Sequence, residues 1–523
     1  MRFRTFLFTV LATSLILLPS PASEPEAKSH DLASRVNAII DGPDYKHATW
    51  GILVVEAHTG RTVYQRNPDT MLAPASVTKL FSCATALITL GPDSITETVV
   101  YSRGLKLNGV LRGDLILVAA GDLTFGGRTK DGRTIFTNKD HTYANSGFGD
   151  AELTDTDPLA ALNSLAKQVR DAGITQVDGE VIIDDRMFAR TRGSGSGPDV
   201  VSPIMVNDNL IDFVIEPATK PGEPARVKLR PETAYYQVDA VVNTGPPKSG
   251  KTIQILPIGP NHLAVRGSIG VDSGPTVRIY PVDDPTAFAR TLFIEALRRH
   301  GVQAKAALLR PGMVALPATS DYSRLPRVGV FRSPPFRDVI TVTLKVSHNL
   351  YASTLPCLVA AAKGHTTAEA GLREQQKVLR ELGVDIGQVS FSGGAGGGAA
   401  DHVTPRATVQ LLQGMAKRPE WGAFKAAMPS LGIDGTLYDA VGENSQAKGK
   451  VFAKTGTLVW YDAVNDRILL KSKALAGTMT TRNGKELLFA FIVNNVPLPA
   501  GVTSAREGKV LAKLCEILYA HGP

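Results

Sequence analysis

Cysteine is nearly absent. The 523 residues include three, Cys83, Cys357 and Cys515, an odd number with no C-x-x-C pair and no repeated spacing. That excludes a disulfide framework and a cysteine-type zinc site. Each of the three falls in an apolar, helical stretch where a thiol serves as a small core residue. Long apolar runs are missing as well: after Leu18 nothing is long and uninterrupted enough to cross a bilayer. The charge has no focus either. The formal net charge is +8, yet Lys and Arg are scattered and accompany no DNA- or RNA-binding motif, so nucleic acid is not an expected partner. A mildly basic surface suits work beside anionic envelope polymers. Gly245-Pro246-Pro247-Lys248-Ser249-Gly250-Lys251-Thr252 has the letters of a phosphate-binding loop but not its context. Such a loop needs a helix starting at its Lys-Thr, whereas IQILPIGP alternates like a strand and contains prolines. We read it as a hairpin turn, with no nucleotide, metal or other cofactor expected.

What is present begins with a signal peptide over residues 1–22. Arg2 and Arg4 precede the apolar run Phe6–Leu18, and Ser20-Pro21-Ala22 is a small-x-small cleavage site. Export is therefore expected, to the periplasm or another extracytoplasmic space at the cell wall, with no membrane span after cleavage. A hydrophobic content of 43% can bury a substantial core, and 523 residues are too many for one ordinary domain.

Thr49–Gln65 reads as two strands joined at His58-Thr59-Gly60. Val77, Leu80, Phe81, Ala84, Leu87 and Ile88 then recur at helical spacing up to Gly91-Pro92, so Ser76 stands at the start of a buried helix. From about 100 to 300 the chain has short strands, one helix around LAALNSLAKQVRDAG, and frequent Gly and Pro. Beyond 340 helical periodicity returns in TLKVSHNLYASTLPCLVAAA and TTAEAGLREQQKVLRELG. The chain ends with a strand around Lys454-Thr455-Gly456, another at ELLFAFIVNNV, and an amphipathic helix. Terminal elements of this kind commonly complete one sheet. The expected architecture is α/β: a discontinuous domain of residues 30–98 and 295–523, interrupted at 99–294 by a mainly β insertion of two nested subdomains.

Three short motifs carry chemistry, in chain order: Ser76-Val77-Thr78-Lys79, Ser347-His348-Asn349 and Lys454-Thr455-Gly456. S-x-x-K, S-x-N and K-T-G together mark serine β-lactamases and penicillin-binding proteins. Positions i and i+3 share a helix face, so Lys79 reaches the hydroxyl of Ser76, and a desolvated lysine beside a second cation loses its proton easily enough to act as base. Ser347 relays a proton toward the leaving amine, and Asn349 holds a substrate amide. Lys454, Thr455 and Thr457 offer charge and hydroxyls to a terminal carboxylate, while Gly456 lets a ligand approach the strand. The N–H groups of Ser76 and Thr457 form an oxyanion hole. S-x-x-K alone is weak, since Ser164–Lys167 and Ser445–Lys448 match it too, the first within an ordinary amphipathic helix and the second in a polar loop. Asp184-Asp185 reads as a turn or solvated pair, His348 as a side-pointing middle residue, and His402 as structural.

With GDLILVAAGDLTF, GEVIIDDRMF, IMVNDNLIDF and MPSLGIDGTL in the same order, the chain resembles the D-Ala-D-Ala carboxypeptidase/endopeptidase family of low-molecular-mass class C penicillin-binding proteins, over nearly all of its mature length. The resemblance implies a serine β-lactamase-like transpeptidase fold, hydrolysis of peptidoglycan peptides through an acyl-serine, and inhibition by β-lactams. Two segments depart from the family pattern. Ser392–Pro405 replaces its hydroxyl and basic positions largely with Gly and Ala, and Val459–Lys473 reads as a charged insertion after KTGTL. A β-lactamase or esterase would share the motifs but differ in deacylation, and a non-catalytic envelope-binding protein could keep them as scaffold.

Overall fold

The computed structural model describes residues 24–146 and 150–523, so the signal peptide expected at 1–22 lies outside the described residues. Strand β1 (Thr49–Glu56) forms the expected hairpin with β2 (Thr62–Arg66). Strands β3 (Val451–Asp462), β4 (Arg467–Thr480) and β5 (Glu486–Pro497), from the far end of the chain, complete a five-stranded antiparallel sheet in the order β2-β1-β5-β4-β3. Successive Cβ atoms leave a strand on opposite faces. Along β1, Leu53 and Val55 therefore enter one core while Ile52 and Val54 enter another, and along β5 Leu488, Ala490 and Ile492 divide in the same way from Phe489, Phe491 and Val493.

Strands apolar on both faces require helices on both sides. Helices α1 (Glu24–Ile40), α2 (Thr78–Leu90), α3 (Phe336–Lys345), α4 (Asn349–Ala362), α5 (Pro405–Ala416) and α6 (Ala505–His521) supply them. Helices α2 to α5 pack on one face, and α1 and α6 on the other. Cys83, Cys357 and Cys515 are all buried free thiols. No helix among the described residues is long and apolar enough to cross a membrane.

Five expectations about the fold are corrected. The continuous helix read through TLKVSHNLYASTLPCLVAAA is broken into α3 and α4, with Ser347 at φ +64° between them. Apolar periodicity runs through the break, but His348 caps α4, its Nδ1 accepting from the Tyr351 N–H at 3.3 Å. The charged segment 459–473 does not leave the sheet. Val459–Asp462 continues β3 and pairs with Arg467–Leu470 of β4 around a short turn, with a register shift between Leu458 and Val459 before Ser472 and Lys473 pair with Leu458 and Thr457. The segment Gly245–Thr252 is a turn, but not a hairpin: the strands on either side of it, Gln237–Gly245 and Gln254–Gly259, flank opposite edges of His262–Gly270, and no helix follows Thr252. Asp184 is buried rather than solvated, accepting from the Arg186 guanidinium at 2.7 Å and the Tyr322 hydroxyl at 2.6 Å.

The inserted region has its own core. Glu97–Leu107 and Val110–Val118 form a hairpin at the centre of a six-stranded sheet, and the helix Ala160–Asp171 lies over it. Arg327–Arg332 pairs antiparallel with Glu97–Tyr101. The return to the first body therefore comes after residue 332. The expected boundary at 294/295 would cut the helix Pro285–Arg299. Between residues 210 and 281 are two three-stranded sheets, whose apolar sides join the same cluster as the six-stranded sheet.

Candidate active site

The α2 segment is entered through a tight turn, Ala75–Val77, that precedes the α-helix itself, so Ser76 lies in the turn and Lys79 one residue into α2. Ala75 has φ +48°, a left-handed conformation unusual for a residue with a side chain. Gly456 and Gly396 close over this turn. A Cβ on Gly456 would lie 2.4 Å from the carbonyl oxygen of Pro74, and one on Gly396 would lie 2.0 Å from that of Ala75. Gly394 is as tightly held, 1.9 Å from the Ala352 oxygen by the same measure, and its carbonyl accepts from Ser82 at 2.9 Å. Gly394 and Gly396 are thus a close-approach device: they let a loop backbone lie against α4 and the nucleophile's turn.

Lys79 is fully buried. Its Nζ contacts Ser76 Oγ at 2.7 Å, Asn349 Oδ1 at 2.7 Å and the Ala395 carbonyl oxygen at 2.9 Å. Asn349 is oriented by its other end, where Nδ2 donates to the Ser196 carbonyl at 2.9 Å. Two of the three contacts of Lys79 are therefore pure acceptors. A neutral amine gives its two hydrogens to them and keeps its lone pair for the Ser76 O–H. Burial pushes Lys79 down to about 7, against the pull of Cys83 and Asp401. Loss of solvation, the first of the two causes expected, accounts for the shift, without a contribution from the second cation.

Lys454 differs from expectation in position. It is fully buried, donates to the Thr455 carbonyl at 2.9 Å, and contributes no surface to the cavity beside Ser76. Burial holds it well below its ordinary value, and the nearby Lys79 adds to the effect. The cavity, of about 340 Å³, is lined by Ser76, Ser347, Asn349, Thr455 and Thr457, which brings those sequence-predicted residues together. Thr455 Oγ1 lies 2.7 Å from Thr436 Oγ1. Lys473, assigned in sequence to the insertion, also lines the cavity, and its Nζ donates to Thr457 Oγ1 at 2.9 Å. Ser164 and Ser445 are elsewhere: Ser164 accepts from Gln168 on its own helix, and Ser445 donates to Glu516 of α6.

Ser347 is held from the insertion. Its carbonyl accepts from the Tyr143 hydroxyl. Behind it is a buried ionic cluster. Arg128 bridges Asp140 and Asp208, each at 2.5 Å, and His141 joins Asp212 at 2.7 Å to Asp208 at 2.8 Å. Tyr351 of α4 donates its hydroxyl to Asp208, and His348 stacks on Tyr351 with ring centroids 3.8 Å apart. Burial disfavours charge on His141, but the carboxylates of Asp212 and Asp208 outweigh it and push His141 up to about 10. Burial keeps His348 below its ordinary value despite Asp208. Sequence reading missed this cluster because its members come from four separated segments. Among the described residues, no group of His, Cys, Asp and Glu is arranged to hold a metal.

A serine and a buried lysine one helical turn apart, walled by S-x-N and K-T-G, on a sheet flanked by helices, define the class of penicillin-recognising serine enzymes. The chain belongs to the D-Ala-D-Ala carboxypeptidase 3 (S13) family, whose model matches residues 32–513. It is 28% identical over 527 residues to a D-alanyl-D-alanine carboxypeptidase of Actinomadura sp. (strain R39), covering 97% of this chain and 88% of that one. It is 23% identical to the D-alanyl-D-alanine carboxypeptidase DacB of Haemophilus influenzae, covering 85% of each. The crystal structure of penicillin binding protein 4 from H. influenzae superposes with a TM-score of 0.68 at 20% identity, covering 94% of this chain and 99% of that one. The protein is a serine-type D-Ala-D-Ala carboxypeptidase of this family.

Proposed function

We propose that Ser76 is the nucleophile and Lys79 its base in hydrolysis of peptidoglycan stem peptides ending in D-Ala-D-Ala, outside the cytoplasm. The observation that carries this is the set of three contacts at Lys79 Nζ, which leave its lone pair for the Ser76 hydroxyl. Ser76 Oγ attacks the penultimate carbonyl carbon while its proton passes to Lys79. The N–H groups of Ser76 and Thr457 receive the negative oxygen. As the C–N bond breaks, the proton travels from Lys79 by way of Ser347 to the departing amine, and D-alanine leaves. Water then cleaves the acyl ester, giving its proton to Lys79, and Ser76 is regenerated. Asn349 orients both Lys79 and the substrate amide, Thr455 and Thr457 meet the terminal carboxylate, Gly456 lets β3 lie against the turn that carries Ser76, and the buried Lys454 holds the Thr455 carbonyl. Arg2, Arg4 and the apolar run after them support export.

A β-lactam sets a strained amide beside a carboxylate, and its ring-opened amine stays tethered near the acyl carbon, where it obstructs water. Mass spectrometry after incubation with a penicillin is expected to find one long-lived adduct, mapped to Ser76 and absent from Ser76→Ala, while Ser164→Ala and Ser445→Ala are labelled normally. An adduct on Ser164 or Ser445, or folded protein with neither adduct nor drug turnover, refutes the assignment. Rapid turnover without accumulation would favour a β-lactamase.

A further inference from the structure

The substrate ends in a carboxylate, so a cation should face the place where it sits. Lys454, the lysine of the K-T-G motif, is sealed away from the cavity with its Nζ on a backbone carbonyl. On β4, directly across the strand pair from Thr457, is Lys473. It lines the cavity with only 8% of its surface exposed, and its Nζ donates to Thr457 Oγ1. Among the described residues, no carboxylate lies within 4.0 Å of that nitrogen. The nearest acidic influence is Glu507 of α6, whose carboxylate is already taken by Arg506 at 2.6 Å and by the Tyr45 hydroxyl. On its α6 side Lys473 meets Gly508, where a Cβ would lie 3.5 Å from Nζ, so the helix leaves room there. A buried ammonium without a counter-ion is costly unless an anion arrives to complete it.

We propose that Lys473 is the specificity residue that receives the substrate's terminal carboxylate, together with the hydroxyls of Thr455 and Thr457. Burial lowers Lys473 to about 8, with Glu507 opposing the shift, so it is largely charged at neutral pH. The other lysines on the cavity wall are exposed: Lys509, on the first turns of α6, and Lys139, 3.8 Å from Glu152. The inference rests on the acyl-serine reading above and adds to it the group that selects for a free C-terminus.

The test uses two acyl donors, an N-acyl-D-alanyl thioglycolate, whose leaving group carries a carboxylate, and its methyl ester, which is neutral. Lys473→Met keeps the length and apolar stem, so the fold is expected to survive, checked by thermal unfolding. Its kcat/KM should fall about 30-fold for the carboxylate donor and less than about threefold for the ester. Lys473→Arg should recover most of the selectivity, and Lys509→Ala should leave the ratio of the two donors unchanged. An equal fall for both donors, no fall for either, or a selective fall in Lys509→Ala in place of Lys473→Met overturns the proposal. The wild-type penicillin adduct separates the two levels. With Ser76 acylated, any of these outcomes rejects Lys473 alone; if Ser76 takes no adduct, the site reading fails and the proposal with it.

Discussion

If Lys79 is the base, acylation must follow its titration. An ordinary lysine, at 10.5, is neutral at pH 7.4 in about one molecule per thousand, whereas a lysine at about 7 is neutral in about 70% of them. Burial thus multiplies the reactive form by about 900-fold. The displacement from 10.5 to about 7 corresponds to about 5 kcal/mol of disfavoured charge at a fully buried site. The assay is single-turnover acylation between pH 5.5 and 9 with the neutral methyl thioester, so that Lys473 does not enter the profile by binding a carboxylate. The rate should rise by one decade per pH unit, bend near pH 7 and reach a plateau, a total gain of about 30-fold for a group titrating at about 7. Lys79→Arg keeps the charge but cannot release a proton, and should lower the rate by on the order of 10²- to 10⁴-fold. A profile flat over this range, one still climbing by a decade per unit at pH 9, or an arginine variant within tenfold of wild type would refute the base assignment.

Gly396→Ala should lower the melting temperature and slow acylation by about tenfold or more, because the new methyl meets the Ala75 oxygen at 2.0 Å in a backbone at φ +88°. Acylation rates and thermal unfolding of the purified variant check this, and wild-type behaviour in both would contradict the close-approach reading. His141→Gln should destabilise the protein by about 3 kcal/mol at pH 6, since Asp208 keeps Arg128 and Asp212 keeps Arg230 but both lose the cation they share. Because the folded value is raised from 6.5 to about 10, the ionic part of the wild-type advantage is complete below about pH 6.5 and is lost as pH climbs toward 10. Urea unfolding at pH 6 and 9.5 reads the difference, and an advantage that grows with pH would be the wrong sign.

Local relations were legible in the sequence and cross-chain ones were not. Ser76 and Lys79 are three positions apart on one helical turn, and the strand–turn–strand pattern of Thr49–Gln65 needs only its own residues. By contrast, Lys473 becomes a site residue only through the register that sets it across from Thr457, 16 positions away in sequence. The return of the chain after residue 332 depends on a pairing with Glu97–Tyr101 that no local pattern announces. Apolar spacing through Leu344, Val346 and Leu350 concealed the break at Ser347 because all three stay buried on either side of it. The glycines of 393–398 looked like lost side chains. The reason for two of them, Gly396 against Ala75 and Gly394 against Ala352, exists only once the fold has formed.

Two residues with side chains, Ala75 and Ser347, adopt left-handed backbone at the two places where the catalytic groups are presented. Each such residue carries about 1–3 kcal/mol of strain and persists only where its surroundings over-determine it. The surroundings differ. Ala75 is fixed from within the catalytic body, by Gly396 above its carbonyl and by Gly456 over Pro74. Ser347 is fixed from the insertion, by Tyr143 on its carbonyl, while Tyr351, four residues on, donates to Asp208 of the ionic cluster and has His348 stacked on its ring. The insertion also supplies Ser196, which aims Asn349 at Lys79. The nucleophile is therefore built within the catalytic body, by the sheet, α2 and the loop carrying Ala395 and Gly396, whereas the S-x-N side of the cleft takes its contacts from the inserted region. That dependence gives the chain a physical reason to keep the 245 residues between Leu90 and Phe336 folded against the site, when a loop of a few residues could join the same two helices.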